Sequence, residues 1–253
     1  MKATWIKILI VSAAFATQSH AIFGIGGHWS PAMGVEVKAD NGLLSSKLND
    51  TVSLDEKGLT GLQGFGVKFW LDCIPLIDVE ASGNMQFGYY DVNLVTATSS
   101  GKTSHGMAFD LNMPWLQAKP FFARAMGDVA VLYPFLKLPP LVSILKLYGG
   151  GGLSYGVATP ILSASFAKDA LTKANYNPAA STDAAIEPIL VDAIKNASFE
   201  KGVGWFLQLG AHAKIPVIPI AVYADAKYRF PGMNPELVDG NGLNLELGGA
   251  LAF

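Results

Sequence analysis

Cysteine is nearly missing from this chain: Cys73 stands alone among 253 residues. A single thiol excludes an intrachain disulfide and a cysteine-built metal cluster. Histidine is scarce as well. The four present, His20, His28, His105 and His212, include no ligand-spaced pair, so no metal site is expected. Charge is thin, at 15% of residues, and close to balanced, with 18 basic against 20 acidic side chains. No Lys/Arg stripe exists that would suit nucleic acid. Beyond residue 21 a long apolar run is missing too. The most apolar stretch, 129–148, is broken by Pro134, Lys137, Pro139, Pro140 and Lys146. A membrane-spanning helix needs about 20 uninterrupted apolar residues.

Apolar residues nevertheless make up 51% of the chain, and mean hydropathy is +0.33. The N-terminus explains a small part. Lys2 and Lys7 precede the apolar run 8–16, and Ser19-His20-Ala21 fits a small-x-small cleavage site. This is the layout of a secretory signal peptide. The expected domains are therefore 1–21, a signal peptide, and 22–253, the mature body. Without Lys2 and Lys7 that body has 16 basic and 20 acidic residues, a net charge of -4. A hydrophobic exported chain without spanning helices has one other way to satisfy its backbone in lipid, a closed β-barrel.

The patterning agrees. Ile77, Val79, Ala81, Gly83, Met85, Phe87 and Tyr89 alternate with Asp78, Glu80, Ser82, Asn84, Gln86, Gly88 and Tyr90. Period two means a strand with one apolar and one polar face. The same parity puts Val35, Val37, Phe65, Val67, Phe69, Met107, Phe109 and Leu111 on the apolar face. Trp205, Leu207, Leu209, Ile218, Ile220, Val222 and Tyr228 join them. Prolines 75, 114, 160 and 216 each follow one alternating stretch and precede another, as a residue unable to donate to a ladder should. Counting this way predicts ten strands: 28–39, 59–72, 76–92, 104–113, 119–133, 141–157, 160–167, 199–214, 217–230 and 242–253. Eight is the alternative, reached by removing 119–133 and 160–167. Gly149 to Gly152 read as barrel curvature. Trp29, Trp115, Tyr133 and Phe230 read as interfacial girdles. A soluble β-sandwich shares the alternation and is the competing fold.

The other face carries charge of both signs. A lumen cluster of Asp78, Glu80, Arg124, Asp225, Lys227 and Arg229 is expected. Glu36, Lys38, Lys68, Asp72, Asp110, Asp128, Lys146, His212, Lys214 and Glu246 also point inward. Mixed charges in a narrow lumen favour pairing over a one-sign channel. Catalytic chemistry finds little support. Ser104 and His105 are neighbours, and neighbours on a strand point to opposite faces. Within 168–198, Ile186, Ile189, Leu190, Ala193 and Ile194 recur at helical spacing. One short amphipathic helix is predicted there, from near Glu187 to about Ala197. It would lie either over the barrel mouth as a lid or against lipid or a partner.

The chain closes on GLNLELGGALAF, with Leu247, Gly249, Leu251 and Phe253 on one face. This segment resembles the C-terminal signal of bacterial outer-membrane β-barrels, which the barrel assembly machinery reads. From Ile22 to Phe253 the chain resembles the small outer-membrane barrels of OmpA/OmpX/OmpW-type architecture. The resemblance implies an all-β, up-and-down transmembrane barrel in the bacterial outer membrane. It implies contact with outer-membrane lipid and lipopolysaccharide, a monomer, no cofactor and no nucleic acid. No peptidoglycan-binding domain is expected after Phe253. A non-enzymatic structural, surface-interaction or narrow small-solute role follows. A narrow pore or apolar-ligand transporter is the first alternative. A barrel hydrolase acting on lipid or peptide is the second.

Overall fold

The computed structural model describes residues 23–37, 39–46, 51–74, 76–107, 120–138, 144–176, 185–214, 218–230, 238–239 and 242–253. The expected signal peptide, Lys38, Phe109, Asp110, Leu111 and Trp115 lie outside them, as do prolines 75, 114 and 216. In chain order, β1 (Phe23–Trp29) and β2 (Ala32–Val37) form one interrupted wall strand. A hairpin of β3 (Asn41–Ser46) and β4 (Thr51–Glu56) follows. Next come the wall strands β5 (Leu59–Ile74) and β6 (Ile77–Tyr89). A second hairpin holds β7 (Val92–Thr98) and β8 (Gly101–Gly106). Wall strands β9 (Phe121–Leu138) and β10 (Leu145–Ala158) lead to two helices, α1 (Ala164–Lys173) and α2 (Ile186–Asn196). The chain returns through β11 (Glu200–Lys214), β12 (Ile220–Phe230), the short β13 (Val238–Asp239) and β14 (Gly242–Ala252).

The wall closes on itself. Every wall strand pairs antiparallel with its chain neighbour, and β1 joins β14 on one side to β5 on the other. Ile25 sits opposite both Leu251 and Phe69. Closure removes free sheet edges. Eight strands do this, not ten. The eight are not the set left by removing 119–133, however: β9 covers that segment and is the longest strand. The expected strand 160–167 is instead a capped helix start, with Ser163 Oγ accepting from the Phe166 amide. The expected strand 104–113 begins in β8, which belongs to a separate four-stranded sheet, β3-β4-β7-β8; its remainder from residue 108 lies outside the described residues. Two helices stand where one was expected.

The parity holds where the strands are regular. In β6 the inward side chains from Asp78 to Gln86 are buried, and their outward neighbours Ile77, Ala81, Met85 and Phe87 are exposed. It fails in two places. Pro31 interrupts the first wall strand, and Gly34 adopts φ +76°. The register against β5 shifts between Ala32 and Glu36. A bulge moves later side chains to the other face, so Val35 is buried and Glu36 exposed. Met107 follows β8 and is buried in the cap rather than facing outward.

Phe23, Phe253 and the last residues of β5, β9 and β11 lie at one end of the barrel. The long connections lie at the other, where the four-stranded sheet and the helices form a cap. One apolar core unites Val52, Leu54 and Leu94 of that sheet with Leu171 of α1 and Leu190 of α2. Leu62, Tyr90 and Phe122 from the barrel rim complete it. Of the two placements open for the 168–198 segment, the helices take the lid position.

Candidate functional site: the barrel lumen

Eight strands enclose a space that side chains can fill. Here filling needs inward glycines opposite large inward side chains. A Cβ on Gly24 would fall 2.1 Å from the Trp70 ring, one on Gly210 2.6 Å from Tyr148, and one on Gly248 2.5 Å from Tyr223. Trp70, Tyr148 and Tyr223 surround His212 near the end that carries Phe23 and Phe253. Gly150 and Gly152 allow close approach to β9: their Cβ atoms would lie 2.1 Å from the carbonyls of Val131 and Val129.

The centre is ionic. Lys68 Nζ donates to Asp225 and lies 2.9 Å from Glu246 and 3.3 Å from Glu80. Lys227 Nζ reaches Glu246 at 2.8 Å, Glu80 at 3.2 Å and Asp128 at 3.4 Å, and donates to Ser82 Oγ at 2.9 Å. Arg229 grips Asp128 through both Nη atoms, at 2.8 and 2.6 Å. All seven side chains are buried. Two cations therefore bridge four carboxylates, and a third closes the set at Asp128.

Neutral groups complete the network. The Tyr148 hydroxyl donates to Asp225 Oδ1 at 2.5 Å. Gln208 Nε2 donates to Glu80 and to Asp225, each at 3.1 Å. His28 Nε2 donates to Asn84 Oδ1 at 2.6 Å, and Nδ1 is hydrogen-bonded to the Tyr223 hydroxyl at 3.0 Å. Asn84 in turn donates to Glu246 at 3.2 Å.

Of the six cluster residues expected from sequence, Glu80, Asp225, Lys227 and Arg229 meet in this network. Asp78 is buried lower down, where Lys146 bridges it (2.7 Å) to Asp72 (3.0 Å). Arg124 sits near the cap and donates through Nε to Gln86 at 2.9 Å. The expected grouping therefore spreads over three levels. Lys68, Asp128 and Glu246 were inward by parity but outside the expected cluster, and they are central. His28, which opens the first expected strand, is in the lumen. Inward parity on β1, β6, β10 and β11 was the available signal for His28, Asn84, Tyr148 and Gln208.

Ser104 and His105 lie exposed on β8, and His105 faces Glu187 of α2 at 3.5 Å. Among the described residues no group of three or more His, Cys, Asp or Glu side chains is arranged to hold a metal ion. Leu247, Leu251 and Phe253 are exposed on the outer face of the last strand, with Gly249 between them.

A closed eight-stranded barrel, apolar outside and packed with paired charge inside, has the fold of the small outer-membrane β-barrel proteins. The outer membrane protein OprG from Pseudomonas aeruginosa is similar in structure at 12% identity, with TM-score 0.50 over 93% of this chain and 98% of that one. Ail, the attachment invasion locus protein of Yersinia pestis, gives TM-score 0.44 at 11% identity, over 92% of this chain and 99% of that one. Neisserial surface protein A gives 0.40 at 13%, over 91% and 97%. No protein-family model and no curated protein sequence matches the chain.

Proposed function

We propose that this chain is a non-enzymatic integral protein of the bacterial outer membrane, with a filled barrel as anchor and the cap as its working surface. One observation carries the reading: the outer face of the mid-wall is apolar, and the charge at that level is turned inward. Phe65, Val67, Val129, Val131, Leu153, Leu207, Leu209 and Leu247 are exposed outside, while the charged side chains at mid-wall turn inward and pair. An apolar belt this large on a soluble protein would aggregate; in lipid it is the expected outer surface. Trp29, Trp205, Tyr228 and Phe230 towards the cap, and Phe23, Tyr133 and Phe253 towards the other end, suit the two interfaces. The partners on this reading are outer-membrane lipid, lipopolysaccharide and the barrel assembly machinery, the last recognising Leu247, Gly249, Leu251 and Phe253. The chain acts as a monomer after export by residues 1–21.

The test places one charge on each kind of outer surface. Ala81→Arg puts a guanidinium in the middle of the belt and should destabilise the barrel in lipid vesicles by about 2–4 kcal/mol. Glu36→Arg, on exposed wall towards the cap, should change little. Urea unfolding followed by tryptophan fluorescence measures both. Equal effects of the two substitutions would refute the lipid-facing belt.

A further inference from the structure

Within the cap the chain buries a carboxyl that nothing holds. Glu56 ends β4 and is 0% exposed, and neither of its carboxyl oxygens has a hydrogen-bond partner among the described residues. Its backbone N–H donates to the Asp40 carbonyl at 3.2 Å, so the strand end is tied to the segment after β2. Two titratable groups face it, Asp40 and Tyr90. Both also hold the entry to α1. Asp40 Oδ2 accepts from the Ala164 amide at 2.7 Å, and the Tyr90 hydroxyl accepts from the Leu162 amide at 3.2 Å. The orphan acid therefore sits beside two polar contacts that tie the entry of α1 to the rest of the cap.

Other charged side chains on the packed elements turn to solvent. Lys57, Asp91 and Lys102 are exposed, as are Lys168, Asp169 and Lys173 of α1 and Asp192 and Lys195 of α2. Asp55 accepts a hydrogen bond from the Asn41 side-chain amide at 2.7 Å. Across the cap, His105 of β8 and Glu187 of α2 stand 3.5 Å apart.

We propose that Glu56 is a proton-operated latch: protonated, it seats the four-stranded sheet against the helices; ionised, it repels Asp40, frees α1 and uncovers the outer end of the lumen. Burial, then the charge of Asp40, pushes the Glu56 carboxyl up from 4.5 to about 8. A carboxyl that binds its proton more tightly in the seated cap than in the open one favours the seated form fully below the ordinary value. That contribution falls as pH rises and is gone above about 8. A cap facing the external medium would thus close in acid and loosen in alkali, while the lumen network beneath stays intact.

Spin labels at Lys102→Cys on β8 and Lys195→Cys on α2, in a Cys73→Ser background, read the latch in detergent micelles. The interlabel distance distribution should be narrow near pH ~5 and roughly twice as wide near pH ~9.5, the two sides of the titration. Glu56→Gln should remain narrow at both, and so should Glu56→Met, which asks for no hydrogen bond. His105→Ala should keep the alkaline broadening. Equal widths in the wild type, or broadening that survives both Glu56 substitutions, would overturn the latch. So would loss of heat-modifiable gel mobility at the higher pH, since the barrel and not the cap would then be opening.

Discussion

Lys68 shows how much of the molecule turns on single lumen residues. It faces Glu80, Asp225 and Glu246 at once, away from water. A buried ion pair adds little net stability, yet removing one partner strands the others and costs about 3–5 kcal/mol. Lys68→Met keeps the aliphatic stem and deletes the charge, so it isolates that penalty. It should lower the urea midpoint in vesicles strongly, and Lys68→Met combined with Asp225→Asn and Glu246→Gln should recover most of the loss. A midpoint unchanged by Lys68→Met would mean that water, not Lys68, neutralises those acids. At this scale the sequence was legible by parity and opaque by partner. Lys68 could be placed inward from Val67 and Phe69 beside it. Glu80 comes from the next strand of the same hairpin, but Asp225 and Glu246 face each other on two strands near the other end of the chain, and no local pattern encodes that meeting. Val35 was misplaced for a different reason: parity runs only as far as the next bulge, and Gly34 makes one.

Between wall strands, glycine and aromatic positions act as sockets and plugs. Trp70 of β5 lies against Gly24 of β1, and a methyl there would sit inside the indole. Gly24→Ala must therefore displace Trp70, an overpacking effect of about 1–3 kcal/mol. Trp70→Ala alone should cost about 3–5 kcal/mol for the lost burial and the space left behind. In the double variant the new methyl has room, so the two effects should fall short of their sum by about 1 kcal/mol or more. A strictly additive cycle, measured by equilibrium unfolding, would place Trp70 elsewhere. Element boundaries were the least legible part of the chain. The outer strands β7 and β8 alternate much as wall strands do, because both kinds lie in antiparallel sheet. Segment 160–167 contains an apolar run that suits strand or helix equally. Ser163, three residues before Phe166, was the available helix signal.

For the whole molecule the decisive question is whether anything passes through. Three barriers lie in series along the axis. The cap core covers one mouth with Leu62, Phe122, Leu171 and Leu190. The ionic network fills the centre, and the Trp70, Tyr148, His212 and Tyr223 rings with the Lys146 bridge fill the other end. An ion crossing the centre would have to displace Lys68 or Lys227 from carboxylates at about hydrogen-bond distance, and a buried carboxylate left unpaired is expensive. The intact protein in planar bilayers should therefore give little or no steady conductance. Replacing 164–196 by a short linker removes only the first barrier, so conductance should rise modestly. Adding Lys68→Ala and Lys227→Ala to that variant removes the bridging cations and should raise it further, with cation selectivity from Glu80, Asp128, Asp225 and Glu246. Stable, porin-sized steps from the unaltered protein would instead mean that the network opens under voltage, and the narrow-pore reading would replace the anchored-cap one.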